Sequence, residues 1–397
     1  MDSEAGYGNT NNSFLGGYSG RILFLISLCS VTSTVGWLVI PPLLPLIIED
    51  LSITAGQAGI ALSVLTGLSA VARFPAGRLA DQFSRKTILA FSLLVWIIGF
   101  SILTFSATFW GFLTGVMFVG LGLGAFVPSS FAQLSDLFME RQGRAFGINN
   151  AAFNLGGILA SGLAILVLSQ GMWRIAFLPV LVMLIVLTVQ LHKWIQQSYV
   201  VTKPSLDVRQ TVGRLALESR VRVLLLVAAI FSFTWNGSIT FLPTFLESEQ
   251  GLSATLGSIA FASVFIAGVV ATPTSGAIGD KVGSIKTILG ALIFAFVGLV
   301  AILSFSTPIA RVGSVIIFAI GLTGFWPVMT SYMMNVFPDD SKGGDYGAIS
   351  TVYMGAGSLG PAFVGMVGEV YRFSIAYATL GFCLLSCFVL VCWLYIK

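Results

Sequence analysis

The chain has 397 residues, of which 56% are apolar and 9% charged, with a formal net charge of +4. A water-soluble domain carries about a quarter charged residues, so this chain has too few to hydrate a surface, and its small basic excess does not indicate nucleic acid binding. The solvent that suits it is the bilayer.

Residues 1–20 are polar and rich in Gly and Asn, without the basic start and apolar core of a secretion signal. They are expected to form a disordered cytoplasmic tail, where the Asn11-Asn12-Ser13 glycosylation match goes unused. Apolar runs long enough to cross the hydrocarbon then follow at 21–48, 56–79, 87–106, 109–136, 144–169, 173–193, 222–246, 254–279, 286–306, 311–336, 345–369 and 373–396. The expected fold is an all-α membrane protein with twelve transmembrane helices in two pseudo-symmetric six-helix bundles. The bundles occupy 21–193 and 222–397, joined by a cytoplasmic central loop at 194–221.

Twelve spans put both termini, the central loop and the even-to-odd loops on one side. Of the twenty Lys and Arg, only Arg174, Arg311 and Arg372 fall on the other side, and Arg73 lies inside span 2. Basic residues stay in the cytoplasm, so both termini are expected there.

The two halves repeat in parallel. Leu51-Ser52 pairs with Leu252-Ser253, Pro45 with Pro243, Gly67 with Gly268, Pro128 with Pro327, Phe138 with Phe337 and Gly147 with Gly347. Every offset is within a residue or two of about two hundred. Cys29, Cys383, Cys387 and Cys392 all sit in apolar runs, and small buried apolar residues are the better reading than a metal or redox pair. His192 stands beside Lys193 at a helix end, an interfacial position. No nucleophile–base set, metal cluster or phosphate loop suggests an enzyme, and no cofactor is expected.

Between spans 2 and 3 stands Gly77-Arg78-Leu79-Ala80-Asp81-Gln82-Phe83-Ser84-Arg85-Lys86, and between spans 8 and 9 a weaker copy, Gly276-Ala277-Ile278-Gly279-Asp280-Lys281-Val282-Gly283-Ser284-Ile285-Lys286. Both run on into Lys-Thr-Ile-Leu. This repeated charged turn resembles the loop between helices 2 and 3 of major facilitator superfamily transporters and its twin between helices 8 and 9. The resemblance implies a cytoplasmic gate built from Gly77, Asp81, Arg85, Lys86 and Asp136 in the first half and from Gly276, Asp280 and Lys286 in the second. Asp81 would meet the start of span 11, around Gly343 to Tyr346, and Arg85 would pair with Asp136. Ser84 departs from the usual Gly. The Arg that opens the family's helix 4 motif is replaced by Val116, which puts ordinary proton coupling in doubt. Span 5 lacks the Gly-Pro pair of many drug–proton antiporters.

Ionisable residues deep in a membrane helix are costly and mark function. Here Glu49, Glu247 and Glu369 stand at outer helix ends and only Arg73 lies well inside. Arg73 either snorkels to the cytoplasmic gate or faces the path and binds an anion. Its Arg73-Phe74-Pro75-Ala76-Gly77 string resembles helix 2 of nitrate/nitrite transporters, yet their second Arg is replaced by Thr272. The neutral candidates for substrate contact are Trp37 in span 1, Asn149, Asn150 and Asn154 in span 5, Trp235 and Asn236 in span 7, and Trp326 in span 10. Asn amides also tie membrane helices together.

The expectation is a monomeric secondary transporter working by alternating access on a neutral or amphipathic small molecule, with or without a coupling ion. An anion carrier using Arg73 and a drug or metabolite exporter are the alternatives. A membrane sensor that has lost transport is the reading from another class.

Overall fold

The computed structural model describes residues 16–139, 141–200, 219–336 and 342–396, with side chains throughout except at Arg78, Asp81, Gln82, Ser219, Arg220, Asn335 and 342–348. Most of the expected tail, most of the central loop, and the Asp81 carboxylate with its expected neighbours at the start of span 11 therefore lie outside the described residues. We number the spanning helices α1 (Gly17–Leu38 continuing as Ile40–Asp50), α2 (Ala55–Gln82), α3 (Arg85–Phe105), α4 (Phe109–Leu137), α5 (Gln142–Leu168), α6 (Phe177–Trp194, after a short 3₁₀ turn at Trp173–Ala176), α7 (Ser219–Ser248), α8 (Ala254–Val282), α9 (Ser284–Ser304), α10 (Pro308–Val336), α11 (Lys342–Gly357 continuing as Leu359–Val370) and α12 (Phe373–Ile396). Every regular element among the described residues is helical.

Eleven of these segments are long and apolar enough to cross a membrane as they stand. The twelfth, α11, is divided at Ser358 into Lys342–Gly357 and Leu359–Val370. Its break and the one at Val39 in α1 have the same cause. Proline has no N–H and its ring crowds the carbonyl four residues back. Pro41 and Pro42 fall just after the first break and Pro361 just after the second.

The parallel repeat is physical as well as textual, with a constant offset of 199, as 251 follows 52. The turn before α2 places Ser52 at φ 50°, and the turn before α8 places Gly251 at φ 66°. Thr54 caps α2 through the Gln57 N–H, and Ser253 caps α8 through the Leu256 N–H. Gly99 of α3 lies against the backbone of Val119 on α4, and Gly298 of α9 against Phe318 on α10. Gly122 meets Trp96 where Gly321 meets Ala295. Small residues at these crossings let helix backbones approach, which is how membrane helices pack when no hydrophobic drive separates them from lipid.

The two halves meet along three seams, which run from the far side, opposite the start of α1, towards the middle. On the α2–α11 seam, Gly59 lies against the Pro361 carbonyl and Gly365 against that of Ala55. Ala362 N–H donates to Ser63 Oγ at 2.8 Å. On the α5–α8 seam, Gly157 lies against the Phe265 ring and Gly268 against the Asn154 amide oxygen. The outer part of α1 packs on α7. Nearer the side where α1 starts, Gly143 and Gly147 of α5 and Gly276 of α8 have no heavy atom within 4 Å of where a Cβ would stand. The α5–α8 seam thus closes on the far side and parts towards the termini, while α2 stays in contact with the first part of α11.

Candidate functional site

The floor of the opening is aromatic. Trp37 ends the first part of α1, just before the proline break, and its ring centroid lies 6.4 Å from that of Phe153 on α5. Phe153 in turn lies 6.2 Å from Phe265 on α8, edge to face. This row of three rings crosses from one half to the other at mid-depth. The Trp37 indole N–H is buried without a hydrogen-bond partner. A buried donor left unmade is costly, and here it stands beside the path between the halves.

The three candidate asparagines separate by angle around α5, since successive residues turn about 100°. Asn149 is buried and turned to α1, where its amide oxygen accepts the Ser30 hydroxyl at 2.8 Å. Asn154 is half-buried at the α5–α8 seam, its amide nitrogen 3.5 Å from the Asn150 carbonyl and its oxygen towards Gly268. Asn150 is exposed. Asn149 thus ties helices within one half, while Asn154 sits between the halves. Replacing Asn149 with Ala should cost about 1 kcal/mol of unfolding free energy, the usual worth of one buried interhelical hydrogen bond. Thermal unfolding of detergent-solubilised protein, compared with Asn150→Ala as a near-neutral control, measures it.

In the second half, Asn236 donates from its amide nitrogen to the Ser232 carbonyl at 2.9 Å, one turn back on α7. Trp235 beside it is half-buried. Trp326 of α10 stacks on Tyr353 of α11, with centroids 5.0 Å apart, and also meets Phe231 of α7 at 5.6 Å. Arg73 is half-buried on α2, one turn before Gly77. Phe153, Phe265 and Tyr353 were not singled out by the sequence, because in a chain with 32 Phe and 9 Tyr an aromatic residue carries little signal.

The charged turns differ between halves. Gly77 lies 3.8 Å, from the position of a Cβ, to Pro128 on α4 of its own half. Arg85 Nε is 3.3 Å from Asp136 Oδ2 across the α3–α4 ends. Lys86 is buried, and its ammonium donates to the His192 and Ile195 carbonyls at 2.9 and 2.7 Å, at the end of α6. The Tyr199 ring lies 4.8 Å from the same ammonium. Burial pushes the Tyr199 phenol above its ordinary pKa, and its oxygen is 3.0 Å from His192 Nδ1. In the second half Asp280 and Lys286 are both exposed. Lys286 lines a shallow crevice of about 270 Å³ with Gly283, Tyr332 and Tyr395.

On the far side each half fastens its own loops with a carboxylate at matching positions. Asp50 pairs with Arg174 at 2.7 Å and accepts the Trp173 indole N–H at 3.1 Å. Glu249 accepts the Ser374 N–H at 2.9 Å, together with the Phe373 N–H and the Ser374 hydroxyl, at the start of α12. The cysteines are all unpaired, with Cys29 and Cys387 buried. Among the described residues no three His, Cys, Asp or Glu groups gather to hold a metal ion.

Two repeated six-helix bundles, meeting at a seam that is closed on one face and parted on the other, define a membrane transport protein. The family model of the Major Facilitator Superfamily matches residues 26–361 and again 224–397, and the chain belongs to that superfamily. It is 31% identical over 297 residues to the multidrug resistance protein MdtG of Escherichia fergusonii, covering 70% of this chain and 71% of the relative. It is 23% identical over 367 residues to the hexuronate transporter of Bacillus subtilis, with 85% of each covered. Among solved structures it shares its fold with a bacterial homologue of the human lysosomal transporter Spinster, solved in an inward-facing and unoccupied conformation. The TM-score is 0.76 at 17% identity, with 95% of both chains covered. A peptide transporter POT mutant in complex with sulfate gives 0.77 at 16% identity, again with 95% of both chains covered.

Proposed function

We propose that this chain carries a small neutral or amphipathic molecule across the membrane by alternating access, the two bundles rocking about the seam between them. The observation that carries this reading is the one-sided seam. α2–α11 and α5–α8 touch on the far side, whereas Gly143, Gly147 and Gly276 stand clear on the other. A path open to one face and closed to the other by packed helix backbones is one end-state of such a cycle. The excess of Lys and Arg on the termini's side makes that side cytoplasmic, so this state opens inward. Gly77, Asp81, Arg85, Lys86, Asp136, Gly276, Asp280 and Lys286 are the residues proposed for the cytoplasmic gate. Trp37, Asn154, Asn236 and Trp326 are the contacts proposed for the cargo.

The MdtG likeness supports a drug-like amphipathic cargo, and the hexuronate transporter likeness keeps an organic carboxylate as the second reading. Arg73 separates them. Uptake into proteoliposomes of amphipathic cations and of hexuronates should be compared between wild type and Arg73→Lys. With Arg73 serving the cytoplasmic gate, the change retains the charge and alters affinity by less than about threefold while slowing turnover. With Arg73 gripping a carboxylate by its planar fork, affinity falls about tenfold or more, and the anion reading replaces ours. Transport of neither class, with folded protein, would favour the sensor.

A further inference from the structure

α11 ends on the far side with Glu369, which belongs to the second half. Its Oε2 accepts the backbone N–H of Gly56 at 2.9 Å, and Gly56 is the second residue of α2 in the first half. The opening N–H groups of a helix have no partner within it. Thr54 takes one of them by holding the Gln57 N–H, and Glu369 reaches across from the other bundle to take another. About two turns deeper, the favour is returned. The Ser63 hydroxyl of α2 accepts the Ala362 N–H, just after the Ser358 break in α11. Each half thus satisfies a helix start of the other, through bonds that cross the seam on its closed far side.

The matching place in the other seam is different. Counting back 199 from Glu369 reaches Gln170, just past the end of α5. A neutral amide stands there, so the carboxylate contact is single.

We propose that Glu369 is a positioning residue for transport, an outer latch that biases the protein towards its inward-open state by capping α2 across the seam. The proposal rests on the alternating-access reading. A carboxylate at a helix N-terminus is favourable through both the hydrogen bond and the helix dipole. Because the contact forms in one state and not in the other, its whole worth enters the equilibrium between them.

Spin labels at Ser169 and Thr255, exposed positions at the far-side ends of α5 and α8, report the outer gap at a distance from the latch. They are placed on protein in nanodiscs, with Cys383 and Cys392 replaced by Ser. Wild type is expected to populate mainly the short outer distance. Glu369→Gln should raise the share of the long distance about three- to tenfold, and Glu369→Asp should restore part of the short one. Gly56→Ala should act in the same direction from the opposite half, because its Cβ would stand 2.5 Å from Glu369 Oε2. Two wild-type distances whose proportions neither Glu369→Gln nor Gly56→Ala moves would overturn the latch alone. A single outer distance in every variant, with or without amphipathic or hexuronate ligands, would overturn the latch and alternating access together.

Discussion

Gly120→Ala and Gly298→Ala are each expected to lose about 2–3 kcal/mol of stability, enough to lower the unfolding midpoint by several degrees. A Cβ at Gly120 would stand closer than 3.0 Å to the carbonyl of Leu65 on α2, and one at Gly298 closer than 3.0 Å to the backbone nitrogen and Cα of Phe318 on α10. Those neighbours are main chain and cannot rotate away. The helices must part, and every contact along the crossing weakens, because dispersion falls off within an ångström. Gly143→Ala and Gly290→Ala are the controls. Neither Cβ meets an atom within 4 Å, and Ala is the better helix former by up to about 1 kcal/mol, so these two should be neutral or stabilising. Four thermal melts in one detergent decide the matter. If Gly120→Ala and Gly298→Ala melt with the controls, these crossings are not set by backbone contact.

The architecture could be read from the sequence because a membrane imposes it. Spans show as apolar runs, sidedness as a Lys and Arg bias, and the repeat as landmarks about two hundred residues apart. The structural matches share one offset of 199, with Thr54 and Ser253 at matching helix caps, which pairs Ser52 with Gly251 where the sequence landmarks had paired it with Ser253. Two helices depart from simple spans, α1 at Val39 and α11 at Ser358. Prolines follow both breaks, but Pro75, Pro128, Pro243, Pro273 and Pro327 run inside unbroken helices, so proline alone did not mark them. The inside of the site was much less legible. A helix that is apolar all round gives no stripe from which to tell its inner face, so Asn149, Asn150 and Asn154 looked alike. Their separation into a tie to Ser30, an exposed amide and a seam contact depends on how α5 is rotated. The outer contact of Glu369 was hidden for another reason. A carboxylate at a helix end resembles an ordinary solvated charge until the partner, a backbone N–H 313 residues away, is in place.

Lys86→Met is expected to cost about 3 kcal/mol, and Lys286→Met within about 0.5 kcal/mol, although both lysines open the same Lys-Thr-Ile-Leu string. In the first half the chain runs past α6 as an extended segment lying along the start of α3. Thr87 Oγ1 donates to the Val200 carbonyl at 3.3 Å and accepts the Val200 N–H at 3.1 Å. Lys86 pins the same segment from beneath through the His192 and Ile195 carbonyls. A cation is favoured at a helix C-terminus, and hydrogen bonds to a charged group are each worth about 1.5–3 kcal/mol. Methionine keeps the length of the stem but leaves both carbonyls without their donor. Lys286 has no such role, since it is exposed at the rim of an open crevice. The change should therefore appear locally first, as faster thiol labelling of Ser198→Cys in the Lys86→Met background and unchanged labelling in Lys286→Met. Slower transport together with that faster labelling would mean that Lys86 serves the gate by holding 195–200 in place. Slower transport with unchanged labelling and an unchanged melt would instead make Lys86 a direct member of the gate, as the family resemblance implied.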